Sequence, residues 1–132
     1  MGMFDSVSLQ TENRFLNRFY KKILNQNLSD QWFQTKSLTS DLKNYTINNS
    51  GQFMLDGIFL KEFSGTFEIY DSPDGYWIDI MITIENGIMT DIKIEYLKHY
   101  NGFHFHLKRN EENIPHSSIV YLRRLIEKNE TN

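Results

Sequence analysis

The chain has 132 residues, a net charge of -3 with both signs interspersed, 39% hydrophobic residues and no cysteine. This length suits a single domain, residues 1–132, that buries about two-thirds of its unfolded surface. The lack of cysteine excludes a disulfide framework, a thiolate metal site and a cysteine nucleophile, and the charge balance argues against bulk electrostatic binding of nucleic acid. We expect neither a signal peptide nor a membrane-spanning segment.

The N-terminal part predicts one strand and one helix. Residues 1–10 favour a short edge strand, and residues 13–25 repeat apolar side chains at helical spacing. The apolar stripe consists of Phe15, Leu16, Phe19, Tyr20, Ile23 and Leu24. The other side is basic and carries Arg14, Arg18, Lys21 and Lys22. This basic side suits a solvated face or a surface for an anionic partner.

Residues 31–43 show no regular period, but strands follow them. Period-two alternation and turn signals predict strands over residues 45–47, 53–60, 63–71, 76–84, 88–100 and 103–109. Residues 72–75 are expected to form a four-residue loop, and residues 85–87 a three-residue loop. These loops set Ile69 opposite Ile78 and Ile80 opposite Ile92, because a one-residue slip would turn every side chain to the wrong face.

The predicted fold class is α+β, an antiparallel β-meander of about six strands with N-terminal and C-terminal helices packed on one face. The inner face of the sheet is apolar and needs a cover. It comprises Phe67, Ile69, Ile78, Ile80, Ile82, Ile92, Ile94, Tyr96, Phe105 and Leu107. A helix from Ser117 or Ser118 to about Lys128 can supply that cover. Its apolar stripe is Ile119, Leu122, Leu125 and Ile126.

The predicted outer face carries the candidate binding residues. Side chains directly opposed on one face lie about 5 Å apart at Cβ, so each cross-strand row is a group of neighbours. One row holds Tyr70, Trp77, Glu95 and Lys108, the next holds Leu97 and His106, and a third holds His99 and His104. Large aromatics on a solvent-side face indicate a binding site. The alternative is a second small core beneath residues 31–43, and both interpretations stay open.

Two other groups of side chains suit chemistry. His99, His104 and His106 suit a metal site or a polar hairpin surface, but no ligand-spacing motif accompanies them. Glu68 beside Asp79 suits an acid–base pair. With Lys93 in the same row, a neutralised surface ladder is the simpler account of this pair. The sequence therefore predicts no metal, no cofactor and no catalytic residue.

Short motifs carry a resemblance to known proteins. The chain opens Met1-Gly2-Met3-Phe4-Asp5 and continues with Trp32-Phe33-Gln34-Thr35-Lys36-Ser37-Leu38. With Leu42, Tyr45-Thr46-Ile47, Gly51, Gly65, Tyr70 and Trp77, these segments resemble small phage and prophage proteins of unassigned function. Those proteins open Met-Gly-Met/Leu-Phe-Asp and carry Phe-Gln-Thr/Ser-Lys. Some of them have paired cysteines after the opening, which this chain lacks, so any zinc role does not transfer.

The Phe-Gln-Thr-Lys segment has two interpretations of its own. Gln34, Thr35 and Lys36 can present an anion-binding surface, although no glycine-rich loop lies beside them. In the structural interpretation, Trp32 and Phe33 are buried and Lys36 lies at the surface.

The resemblance implies expression in the cytoplasm of an infected bacterium and brings no reaction with it. The sequence thus predicts a binding protein that engages a host protein or sequesters a small ligand through an aromatic sheet face. The expected binding residues are Trp77, Tyr70, Glu95, Leu97, His106, Lys108, Gln34 and Lys36. One alternative is a metal-dependent hydrolase or nuclease that uses the histidines, and another is a nucleic-acid binder through the basic helix. The oligomeric state stays open.

Overall fold

A computed structural model describes residues 4–11, 13–99 and 112–130, with side chains up to residue 128. Within these residues, eight strands and two α-helices follow in the order β1 Asp5–Leu9, α1 Arg14–Arg18, β2 Trp32–Thr35, β3 Asn44–Ile47, β4 Phe53–Leu55, β5 Ile58–Phe59, β6 Gly65–Asp71, β7 Tyr76–Glu85, β8 Ile88–His99 and α2 His116–Glu130. The strands form one mostly antiparallel sheet in the order β5-β4-β3-β1-β2-β6-β7-β8. The α+β class is confirmed, and the sheet is larger than the predicted meander. The predicted strand over residues 103–109 lies outside the described residues.

The first strand lies in the middle of the sheet and not at its edge. β1 pairs antiparallel with β2 and parallel with β3. The partner β2 comes from the segment that shows no period in the sequence, and its Phe33 and Thr35 are buried. The prediction of an edge strand was wrong because β2 has only four residues, too few for its alternation to identify it as a strand that pairs with β1. The predicted strand over residues 53–60 is likewise divided, by a turn at Asp56 and Gly57.

The buried carboxylate of Asp5 organises the loop between β2 and β3. Four backbone N–H groups donate to it, from Thr39 at 2.9 Å, Ser40 at 2.7 Å, Asp41 at 3.2 Å and Lys43 at 2.9 Å. The loop backbone has left-handed φ angles of 54° and 65° at Ser40 and Leu42, which non-glycine residues seldom adopt. Charge-assisted hydrogen bonds to one carboxylate therefore hold an otherwise unfavourable loop.

The turn between β6 and β7 is tighter than predicted. The N–H of Tyr76 donates to the carbonyl of Pro73 at 2.8 Å, and φ at Asp74 and Gly75 is 45° and 81°, as in a type I′ turn. Ile69 therefore lies opposite Ile80. The predicted pairing with Ile78 was wrong by two residues, but the face was right because a shift of two preserves the alternation. The same shift places Phe67 opposite Ile82.

The turn between β7 and β8 also has two residues, where three were predicted. Asn86 and Gly87 have φ of 50° and 80°. A β-bulge close to this turn then places Ile80 opposite Ile94. The predicted pairing of Ile80 with Ile92 was wrong, although isoleucine does face isoleucine. The extra residue of the bulge keeps the isoleucines of β7 and β8 on the same face of the sheet. The prediction had assigned this effect to a loop of three residues.

A second bulge in β8 exchanges the faces of its last residues. Beyond this register shift, Leu97 lies opposite Ile78 on the inner face, and Tyr96 lies opposite Asp79 on the outer face. Both predicted positions were wrong for β8, because a bulge inside a strand leaves no mark in an alternating sequence. The predicted inner residues Phe105 and Leu107 lie outside the described residues.

Both ends of the chain contribute helical side chains to one core. The contributing side chains are Leu16, Phe19, Tyr20, Leu24, Leu122 and Ile126. α1 continues directly into a π-helical turn, Phe19–Ile23. The additional residue in this turn rotates Ile23 out of the stripe, and Ile23 is 57% exposed. Phe15, at the margin of the stripe, is 55% exposed, so these two members of the predicted apolar stripe do not join the core.

α2 matches the predicted C-terminal helix closely. It begins at His116, one residue before the first predicted cap, and Leu122 is fully buried. The hydroxyl of Ser118 donates to the carbonyl of Ser64 at 2.8 Å and accepts from its N–H at 3.0 Å. This pair of hydrogen bonds fixes the start of α2 beside the start of β6.

We expect Ile80→Ala to lower the free energy of unfolding by about 2–5 kcal/mol, because Ile80 is fully buried. Ile94 was predicted to be nearly as buried, but it is only half-buried, so Ile94→Ala should cost less. Urea unfolding of the two variants measures the difference. A larger loss for Ile94→Ala would contradict this assignment of the core.

Asp5→Asn should lower the free energy of unfolding by roughly 2–4 kcal/mol, because it weakens several charge-assisted hydrogen bonds at once. Asp41→Asn is the matched control in the same loop, since Asp41 accepts only the hydroxyl of Thr39 among the hydrogen bonds described, at 2.7 Å. The control should cost less than about 1 kcal/mol in urea unfolding. Equal losses for the two variants would show that Asp5 does not hold the loop.

Candidate functional site

Tyr70 and Trp77 stack on the outer face of the sheet. Their ring centroids lie 5.5 Å apart with an interplanar angle of 9°. They come from the neighbouring strands β6 and β7, where Tyr70 lies opposite Asp79 and Trp77 opposite Lys98. Both aromatic residues are half-buried. The structure therefore brings together two of the predicted binding residues on the face that period-two alternation assigned to them.

Strand β2 extends this surface. Gln34 lies opposite Tyr70, is exposed, and shares its face of β2 with Trp32, because alternate residues of a strand point the same way. Trp32 is 49% exposed, so its predicted burial was wrong, whereas Phe33 is buried as expected. We call Trp32, Gln34, Tyr70 and Trp77 the outer aromatic face. Residues 32–35 lie in the sheet beside β6 and do not form a layer over Trp77.

Carboxyl groups lie next to the outer aromatic face. Asp79 is buried, and its pKa is raised to about 8. Burial is the largest cause, and the hydrogen bond to Glu68 and the charges of Glu68, Glu95 and Glu112 act in the same direction. Glu68 lies opposite Met81, so it is a diagonal and not a direct neighbour of Asp79. At neutral pH the pair therefore tends to hold a proton between its two carboxyl groups.

Lys93 was predicted to neutralise Glu68 and Asp79, but its described ion pair is with Glu95. Lys93 lies opposite Met81, and its ammonium group contacts the carboxylate of Glu95 at 3.4 Å. Glu95 was predicted to lie directly beside Trp77. It instead occupies the second bulge of β8, because Tyr96 lies opposite Asp79 and Ile94 opposite Ile80.

Other predicted site residues do not join the outer aromatic face. Leu97 packs against the core. The rings of His99 and Tyr76 pack edge to face, with their centroids 4.8 Å apart. Tyr76 lies on the same face of β7 as the buried Ile78, because alternate residues of a strand point the same way. His99 lies opposite Tyr76 and is therefore on the inner face as well. Lys36 is exposed just beyond the end of β2. His104, His106 and Lys108 lie outside the described residues.

The basic side of the N-terminal helix borders a groove of about 650 Å³. It is lined by Arg14, Phe15, Arg18, Phe19, Lys22 and Ile23. The cations follow one another at intervals of four residues, so they share one helix face. This groove matches the surface for an anionic partner that the sequence left open. Lys21 lies outside it.

Comparison with known proteins gives no family: no family model, no curated protein and no solved structure matches the chain. No helix in residues 4–11, 13–99 and 112–130 has the length and apolar character needed to cross a membrane. In the same part of the chain, no three histidine, aspartate or glutamate side chains are grouped to hold a metal ion.

The raised pKa of Asp79 predicts a pH dependence of stability. A carboxyl group whose folded pKa exceeds its unfolded value stabilises the fold fully below about pH 4, and this contribution is lost as the pH rises to about 8. Asp79→Asn should therefore remain more stable than the wild type at pH 9 and show a flatter profile between pH 5 and 9.

Urea unfolding at pH 5, 7 and 9 measures this difference. Asp91→Asn, at an exposed position of β8, is the matched control and should follow the wild type. If Asp79→Asn were the less stable protein at pH 9, the carboxyl would be stabilised in its ionised form and the assignment would be wrong.

Proposed function

We propose that this protein is a non-catalytic binding protein that engages a protein partner through the outer aromatic face. The observation that carries the proposal is the stacked Tyr70–Trp77 pair on the outer face, with the exposed Trp32 and Gln34 beside it. Tryptophan and tyrosine dominate binding energy at protein interfaces because they bury large areas at low entropic cost. The resemblance to phage and prophage proteins supports a host protein as the partner, met inside the bacterial cell.

The shape of the surface favours a protein over a small ligand here. Small molecules bind in concave sites, and both described clefts lie against the N-terminal helical segment and not against the outer aromatic face. The side chains of the outer aromatic face come from three adjacent strands, which span about 10 Å across the sheet. A face of this breadth suits an opposing protein surface.

The charges around the outer aromatic face indicate the chemistry of the partner. Glu68 and Glu95 act electrostatically on Asp79, the Glu68–Asp79 pair keeps one net negative charge when it holds a proton, and Trp77 offers an aromatic ring beside it. Arginine and lysine side chains bind to such a combination through cation–π and charge-assisted contacts. A host surface with an arginine or lysine at its centre therefore fits best.

Trp32→Ala should weaken partner binding at least tenfold, since an interface tryptophan commonly contributes about 2 kcal/mol or more. Phe15→Ala is the matched control, because Phe15 is a comparably exposed aromatic residue on α1. Partners captured from bacterial lysate on the wild-type protein would be purified, and their affinities for both variants measured by calorimetry. Trp32 is 49% exposed, so the melting temperature should change little.

Trp77→Ala should weaken binding too, but it also removes a half-buried ring and should lower stability. Acrylamide quenching in a Trp32→Phe background, where Trp77 supplies the tryptophan emission, should decrease when the partner binds. If the partner protected neither tryptophan, or if Phe15→Ala weakened binding as much as Trp32→Ala, the outer aromatic face would not be the site. A partner that was an oligonucleotide and depended on Arg18 would favour the nucleic-acid alternative.

A further inference from the structure

A polar cleft of about 830 Å³ lies at the end of β1, between the π-helical turn Phe19–Ile23 and the 3₁₀ turn Leu28–Asp30. Half of its ten described lining residues carry a side-chain amide, and one is a cation: Gln10, Asn17, Gln26, Asn27, Asn49 and Lys21. None of the described lining residues is a carboxylate. The size falls within the range of about 300–1,000 Å³ that is usual for small-molecule sites.

Hydrogen bonds fix one wall of the cleft. The backbone N–H of Gln10 donates to the carbonyl of Ile47 at 2.7 Å. The side-chain Nε2 of Gln10 donates to the carbonyl of Ser29 at 2.9 Å, and so ties the 3₁₀ turn to the end of β1. Leu9 and Leu28 are buried at this wall. The wall is thus set before any ligand arrives.

The π-helical turn fixes the opposite wall. The hydroxyl of Tyr20 donates to the carboxylate of Asp71 at 2.9 Å, and the N–H of Gln26 donates to the carbonyl of Tyr20 at 2.9 Å. Asn25 between them has a left-handed φ of 53°. Single π-helical turns occur frequently at functional sites, because the additional residue redirects side chains. Here the turn places Lys21 and Gln26 on the cleft.

Gln26 carries an unused acceptor at this wall. Its Oε1 is buried and has no hydrogen-bond partner among the described residues. An unsatisfied buried acceptor costs roughly 1–3 kcal/mol. Rotation about the terminal torsion of glutamine is soft, so the amide can turn towards a donor that enters the cleft.

We propose that this cleft binds a small phosphorylated molecule that carries hydroxyl or amino donors, the chemistry shared by nucleotides and sugar phosphates. Lys21 binds the phosphate, and Oε1 of Gln26 accepts a hydrogen bond from a hydroxyl or amino group. Asn17 and Asn49 each add an amide group, which can both donate and accept, and this suits a ligand with many polar edges. The site is separate from the outer aromatic face and does not depend on its function.

Isothermal titration calorimetry with uridine 5′-monophosphate, ribose 5-phosphate and inorganic phosphate tests the proposal. At least one of the two organic phosphates should bind saturably and more tightly than inorganic phosphate, and which one binds better identifies the ligand class. Lys21→Gln should weaken that binding about tenfold. Lys22→Gln is the matched control, because it removes the same charge from the adjacent residue, which lines the other groove.

Gln26→Met should reduce the preference for the organic phosphate over inorganic phosphate, while its circular dichroism spectrum shows an intact fold. Asn17→Ala, on the same cleft, is a second variant with the same expected direction. The proposal is overturned if no probe binds saturably, if Lys22→Gln weakens binding as much as Lys21→Gln, or if inorganic phosphate binds as tightly as both organic phosphates.

Discussion

Four backbone N–H groups converge on the buried carboxylate of Asp5, and the middle of the sheet depends on that convergence. The loop they belong to lets β2 and β3 lie on opposite sides of β1, one antiparallel and one parallel. Asp5 itself lies opposite Thr35. Asp5 and the Trp32–Thr35 strand are therefore neighbours in the sheet, and the buried Asp5, Phe33 and Thr35 have structural roles.

Three other residues of the Trp32–Leu38 segment lie at the surface, whereas Leu38 is buried in the core. Gln34 and Lys36 are exposed, and Trp32 lies on the same face of β2 as Gln34. The arrangement that builds the centre of the sheet also presents this tryptophan beside the Tyr70–Trp77 stack. A short motif can thus serve the fold through its buried residues and a binding surface through its exposed ones, because neighbouring residues of a strand point to opposite faces.

Sequence patterns predicted faces better than registers. Alternation assigned Ile80 to the inner face and both Tyr70 and Trp77 to the outer face, since parity survives a shift of two residues. It could not reveal the two bulges of β8, the second of which changes parity within the strand and moves Leu97 and His99 to the inner face. Nor could it reveal the polar cleft, because Asn49 comes from a separate segment and the π-helical turn beside the other amides looks like ordinary helix in the sequence.

Net charge is a poor guide to partners when charges of opposite sign occupy different surfaces. The chain carries -3 overall, yet Arg14, Arg18 and Lys22 line one groove of the N-terminal helix, and Glu68 and Glu95 raise the pKa of Asp79 beside the outer aromatic face. Salt screens exposed charges beyond roughly 10 Å, so a ligand responds to the surface it meets and not to the sum. A basic partner at the outer aromatic face and an anionic ligand near α1 are therefore compatible with one nearly balanced sequence.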